Sequence, residues 1–325
     1  MKRYVLGIIA LCLAASHLIG QTCCSGGVPI SSNLGFQSSE AGNLQFAAAY
    51  EHNFLNTLYS ESTVLPLNNR QRQTQSFLLR LSYNFSDRFG IETLLPYVIQ
   101  RRDITQNSGL INREVSNGIG DAVILFKYDL IKNIAWNLNV GIGPKLATGS
   151  STENNSIGLL LVNDLQPGSG ATDIISRIAL THNLSARPSS SVYGQAVWTS
   201  RGTDNDYLGS QTYGFGSEIQ LSGGISDQFI TSLTTLYPAL SLRYRNATRD
   251  AINDNSQENT GGKWVFLKAS LGFDILKENR ISIAYERPIY TKVDGTQLSP
   301  DHILNISFYR NFSLKNTSNK IIEVN

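Results

Sequence analysis

Residues 118–130 and 134–146 make two arms of a hairpin in which apolar and polar side chains alternate. In the first arm Ala122, Ile124, Phe126, Tyr128 and Leu130 share one face. Asp121, Lys127 and Asp129 share the other with Val123 and Leu125. The second arm sets Ile134, Trp136, Leu138, Val140 and Ile142 against Asn137, Asn139, Gly141, Gly143 and Lys145. Successive side chains of a strand point to opposite faces, so each arm has an oily side and a wetter one. Each arm exceeds the roughly 5–6 residues of an average soluble strand and approaches the roughly 9–11 that cross a bilayer at a tilt. Long two-faced strands also occur in soluble sandwiches, so the hairpin alone leaves both architectures open.

The chain start separates them. Lys2 and Arg3 precede an apolar run from Tyr4 to Leu13, and Leu18-Ile19-Gly20 closes on a small residue. This is the pattern of a cleaved signal peptide over residues 1–20, and its apolar run is too short to span a membrane as a helix. Loss of Lys2 and Arg3 takes the 27 basic residues to 25, equal to the 25 acidic ones. A neutral chain gives no electrostatic case for a nucleic-acid partner. Aromatic residues are plentiful, with 14 Tyr, 13 Phe and 3 Trp, yet the mean hydropathy is only −0.14. A membrane barrel combines these, because its lumen-facing polar residues dilute the lipid-facing ones. Cys23 and Cys24 are adjacent and cannot build a disulfide framework. Thiolates select copper(I) or zinc, which makes the pair a candidate soft-metal grip, weighed against an idle pair in a tail. No other metal and no cofactor is expected.

Similar arms recur at 43–52, 74–85, 89–100, 171–183, 191–200, 211–225, 228–244, 263–276, 280–290 and 302–312, which gives about twelve strands. Short breaks at 86–88, 132–133, 184–190, 226–227 and 277–279 alternate with longer polar stretches at 53–73, 101–117, 147–170, 201–210, 245–262 and 291–301. Outer-membrane barrels carry short periplasmic turns, longer outer loops and an even strand number. The expected fold is therefore all-β: a transmembrane antiparallel β-barrel of about 12 strands at 43–313, in the outer membrane of a Gram-negative cell. A lead-in at 21–42 would lie in the periplasm or insert into the lumen, and 314–325 would be a periplasmic tail. The arm at 228–244 is irregular, since its parity changes near Pro238 and implies a bulge or a misplaced boundary. The last arm, with Leu304, Ile306, Phe308 and Phe312, resembles the closing signal read by the barrel-insertion machinery. That machinery, membrane lipids and a small-molecule solute are the expected partners; the oligomeric state is left open.

If the oily faces meet lipid, the other faces line a lumen. That set includes Arg80, Glu92, Asp121, Lys127, Lys145, Asp173, Arg177, Glu218, Arg243, Lys268, Asp274 and Glu286. Charges of both signs in a confined space either pair and satisfy one another or form a constriction that orders solute passage. Aliphatic candidates Leu94, Val123 and Leu125 make this interior oilier than a general porin's. An enzyme is not expected: Ser176 and His182 share an arm but stand too far apart to act as a nucleophile and base.

Three blocks carry a family resemblance: Gly118-Ile119-Gly120-Asp121 with Lys127-Tyr128, then Gly143-Pro144-Lys145-Leu146 with Gly149, then Gln166-Pro167-Gly168-Ser169-Gly170 with Asp173. Their order and spacing resemble the outer-membrane barrel family labelled "MetA pathway of phenol degradation". The chain departs from that pattern at Ala147, where proline is common, and at its Cys23-Cys24 start. The resemblance implies an outer-membrane channel for hydrophobic or aromatic compounds, with Lys145 and Asp173 marking the constriction. The alternative is a non-conducting barrel with a structural or surface-interaction role.

Overall fold

A computed structural model of the chain describes residues 33–35, 40–276 and 278–314. The expected signal peptide, the Cys23-Cys24 pair and the end of the expected tail lie outside them. Strand β2, Arg70–Asn84, shows how the sequence sets the architecture. Its even-numbered side chains are buried from Arg72 to Asn84, while Phe77, Leu79 and Leu81 stand exposed. The other strands are β1 (Asn43–Ser60), β3 (Phe89–Thr105), β4 in two segments (Ile111–Ile119 and Ala122–Lys132), β5 (Trp136–Leu146) and β6 (Asp173–Leu184). They continue with β7 (Arg187–Ser200), β8 (Glu218–Ser226), β9 (Thr235–Ala247), β10 (Gly262–Leu276), β11 (Asn279–Val293) and β12 (Thr296–Ser313).

Every strand pairs antiparallel with its sequence neighbours, and β12 returns to pair with β1 from Asn43↔Ser313 to Ser60↔Thr296. The sheet is thus a closed 12-strand barrel with no free edge. Closure satisfies each backbone N–H and C=O inside the wall, which is what a sheet immersed in hydrocarbon requires. The burial pattern is inverted relative to a water-soluble protein. Phe126 (47 % exposed), Ile142 (57 %) and Leu242 (50 %) face out, while Arg80 (6 %) and Glu92 (1 %) are enclosed. An apolar band of this extent is covered by lipid. Aromatic clusters bound it: Tyr83, Phe85 and Phe89 at the short-turn rim, and Tyr50 with Phe77 toward the loop rim. From Phe77 to Phe85 a tilted strand rises roughly 20 Å, close to the height of such a band.

The outer polar stretches differ from expectation. Instead of loops at 53–73, 101–117 and 291–301, β1 runs on to Ser60, β3 to Thr105, β4 starts at Ile111 and β12 at Thr296. Backbone pairing is indifferent to side-chain polarity once the membrane part has set the register, so the ladder continues into water. Cross-strand ion pairs such as Arg102–Glu114, with Nε–Oε2 at 2.9 Å, decorate it. Residues expected in the arm 211–225 divide. Gln211–Gly214 joins Thr203–Tyr207, Ala251–Ile252 and Asn255–Ser256 in a separate four-stranded sheet at the loop rim, and β8 begins at Glu218. The parity change in 228–244 proves to be a misplaced boundary. Phe229–Ile230 folds back on the start of β9, and beyond Thr235 the ladder passes Pro238 without a bulge.

Candidate functional site: the lumen

Between the two segments of β4 the ladder breaks. Pro96 of β3 has no N–H to offer, its carbonyl accepts from Gly120 N (2.8 Å), and one extra residue is accommodated. Such a bulge re-aims a side chain. Here it turns Asp121 into the lumen, where it is 4 % exposed.

Asp121 begins a chain of alternating charge. Its carboxylate lies 2.8 Å from Lys145 Nζ on β5, which lies 3.0 Å from Asp173 on β6. Arg201, just past β7, follows at 4.0 Å from Asp173 and 3.5 Å from Glu218 of β8, and Arg245 of β9 closes on Glu218 at 2.7 Å. The signs cancel along this arc, as they must where water is scarce. The Arg245 guanidinium then lies 5.0 Å over the Trp264 ring of β10, whose Nε1 donates to Ser299 of β12 (3.1 Å). The result is a collar near the loop rim that touches most of the barrel wall.

Residues 147–172 fold into the barrel mouth and are tied to this collar. Asp121 accepts from Ser169 N (2.9 Å), Ser169 Oγ (2.6 Å) and Gly149 N (3.1 Å). On the other side Arg72 of β2 holds Asp164 at 2.8 Å, and Gln100 of β3 donates to the Gln166 carbonyl at 2.8 Å. Leu165 and Gln166 are wholly enclosed. The glycine blocks of the sequence meet here. A Cβ on Gly149 would sit 2.6 Å from Gly168 Cα and 2.9 Å from Gly120 Cα, so the loop can double back only if all three lack side chains.

Deeper in, the lumen has two unlike walls. Leu78, Leu94, Val98, Val123, Leu125, Ile175 and Val197 from β2, β3, β4, β6 and β7 form one apolar patch, and Leu34 packs onto it. Residues 33–35 are fixed in the lumen by polar contacts: Asn33 donates to Glu51 (2.9 Å), Gly35 N to Glu92 (2.9 Å), and Arg80 to the Asn33 carbonyl. The facing wall is ionic and aromatic. Arg243 of β9 binds Glu286 of β11 through Nε (2.8 Å) and covers the Phe266 ring at 4.1 Å. Toward the short-turn rim a cavity of about 490 Å³ opens between residues 33–35 and this wall, lined by Arg80, Lys268, Tyr309, Asp274 and Arg280.

All of the residues expected in the lumen face it. Lys127 donates to Ser82 (2.6 Å), and Arg177 to Asn139 (2.6 Å) and Gln195 (2.9 Å); Lys268 is half-buried. Asp121, Lys145, Asp173 and Glu218 are brought together in one network; Arg80, Glu92, Lys127 and Arg177 lie on the apolar-patch side, and Glu286 on the ionic side. Arg72, Arg201 and Arg245 belong to the site but fell in stretches read as loops. Parity would have found two of them, since Arg72 continues the row of Arg80 and Arg245 that of Arg243. Ser176 faces out, and His182 stacks on Trp136 at 3.9 Å, also on the outer face.

Over the mouth, the small sheet packs Tyr207, Tyr213 and Phe215 against Ala171. Asp250 accepts from Tyr213 Oη (2.6 Å) and Gly216 N (2.7 Å). Burial raises the Asp250 carboxyl above the usual carboxylate range, and burial with the adjacent carboxylate raises the Tyr213 phenol.

No protein-family model matches the chain, and no curated protein matches it. Solved structures do. An outer membrane channel from Pseudomonas putida F1 aligns over 86 % of this chain and all of its own length, at 15 % identity and a TM-score of 0.65. The translocator domain of the autotransporter NalP from Neisseria meningitidis covers 87 % of this chain and 92 % of its own at 8 % identity and a TM-score of 0.47. The monoaromatic hydrocarbon channel CymD covers 84 % and 89 % at 10 % identity and a TM-score of 0.45. The first likeness is one of fold: a closed barrel of the outer-membrane type.

Proposed function

We propose that the chain is an outer-membrane channel through which small solutes with hydrophobic or aromatic parts diffuse without energy coupling. The observation that carries this is the division of the lumen. An apolar strip from Leu78 to Val197 faces a wall of paired charges and aromatic rings. Leu34 covers that strip, so a solute with an oily body and a polar group meets a partner on each side once residues 33–35 draw away from it, whereas a general porin would present water-lined polarity all round. The resemblance to the phenol-degradation family supports the same class of cargo. Liposomes carrying the purified barrel should swell faster in phenol-like solutes than in sugars of similar size. Equal rates for both, or no swelling beyond empty liposomes, would overturn the reading.

The collar supports a second reading. A charge-neutral arc plus an inserted loop closes the mouth, as a barrel with a structural or surface-interaction role would have it. Planar-bilayer recordings separate the two: absence of any current, together with absence of solute flux, favours the closed barrel.

A further inference from the structure

On the outer wall, Lys263 of β10 and Lys292 of β11 stand directly opposite each other in the ladder. Their neighbours Trp264, Thr291 and Val293 are buried in the lumen, so both lysines point outward, and both are exposed. Arg287, farther down β11, faces the same way and is exposed too. Among the described residues no acidic side chain faces outward on β9, β10 or β11, where Asp274 and Glu286 turn inward. Among the same residues Lys263, Lys292 and Arg287 make no ion pair or hydrogen bond.

Like charges directly opposite in a ladder repel and destabilise it. Elsewhere this chain answers the same problem with its own carboxylate. Arg72 of β2 and Arg102 of β3 stand directly opposite each other and are met by Asp164 and Glu114, with N–O distances of 2.8 and 2.9 Å. At Lys263 and Lys292 no such anion is built in, so it has to come from the surroundings. Their depth says which surroundings. The pair sits one outward step beyond the Tyr244, Val265 and Tyr290 row, roughly 5 Å above the level where tyrosines mark the edge of hydrocarbon. A long arginine stem can lie along an apolar wall with its guanidinium at the wet edge, and Arg287, exposed beside Leu267, has that setting.

We propose that Lys263, Lys292 and Arg287 form a docking site for the phosphate groups of a phosphorylated glycolipid in the outward-facing leaflet. The proposal rests on the outer-membrane location given above. Each cation near a charged leaflet contributes about fivefold in affinity. The test uses the full barrel in neutral detergent, with bound lipid counted by native mass spectrometry on adding bisphosphorylated lipid A or its dephosphorylated form. The wild type should retain the phosphorylated lipid, and K263Q/K292Q should bind it about 25-fold more weakly. Addition of R287Q should take the loss to about 100-fold. K292E is the control for folding: it turns the cross-strand pair attractive, so the barrel should melt no lower than wild type while lipid binding falls.

Equal binding of both lipid forms, or K263Q/K292Q binding as tightly as wild type, would overturn the site. Displacement of the lipid by low millimolar inorganic phosphate would overturn the lipid in favour of a small-anion site. Planar-bilayer current measured on the same variants keeps the two ideas apart, since the lumen is untouched. Lost lipid binding with unchanged current upholds the site, and a barrel without current challenges the channel alone.

Discussion

The two walls of the lumen obey the same alternation and put it to different use. On β2 to β4, β6 and β7 the inward positions that meet Leu34 are aliphatic, and their contacts are close-packed like a core. On β8 to β11 the inward positions include Glu218, Arg243, Arg245, Phe266 and Glu286, tied by charge and ring contacts. A period of two decides which side chains go inside. What the inside is made of is a separate choice, and this barrel makes it differently on its two halves. Paired charges of opposite sign hold the ionic half, so a solute polar group competes there for existing partners instead of meeting an empty field.

The sharpest way to break the contrast is to unbalance the collar. Lys145→Met leaves Asp121 and Asp173 enclosed without their shared cation, at a cost of about 3–5 kcal/mol. The loop 147–172 should then release, seen as a lower melting temperature, faster proteolysis within it and larger single-channel current. An unchanged melt would show that the collar does not hold the loop. Next in size, Leu94→Ala removes a fully enclosed aliphatic side chain from the oily wall and should cost about 2–4 kcal/mol in urea unfolding. It should also slow aromatic solutes more than ions; equal slowing would mean that the walls do not divide the work. Arg243→Gln leaves Glu286 without its guanidinium and should shift ion selectivity toward cations by severalfold, read from reversal potentials in a salt gradient. The smallest effect is on the small sheet over the mouth. Because burial raises the Asp250 carboxyl in the folded state, its contribution is complete at low pH and is lost as pH rises through the raised folded value. Protease nicking between residues 203 and 257 should therefore quicken from acid toward neutral pH, and Asp250→Asn should flatten that dependence.

Much of this was legible in the amino-acid order. The hairpin at 118–146 gave the period, the alternation of breaks gave the rims, and the inward charges fell where parity placed them. The ends were less legible. Residues 53–73 and 101–117 look like loops by polarity, yet their flanks pair, because the ladder is held by backbone hydrogen bonds that composition does not report. Arg72 and Arg245 were missed for that reason, although they keep the parity of their strands; Arg201 lies just past the end of β7, where no strand parity applies.

By itself the sequence determined the closed two-faced wall and its direction, since side-chain period is local and needs only neighbouring residues. Only the tertiary structure decided that Asp121, Lys145, Asp173, Arg201, Glu218 and Arg245 form one neutral arc. Which charges meet across a lumen depends on strand stagger, on a single bulge opposite Pro96 and on where a loop folds back. Those are set by the closure of the whole sheet and leave no mark on any one strand.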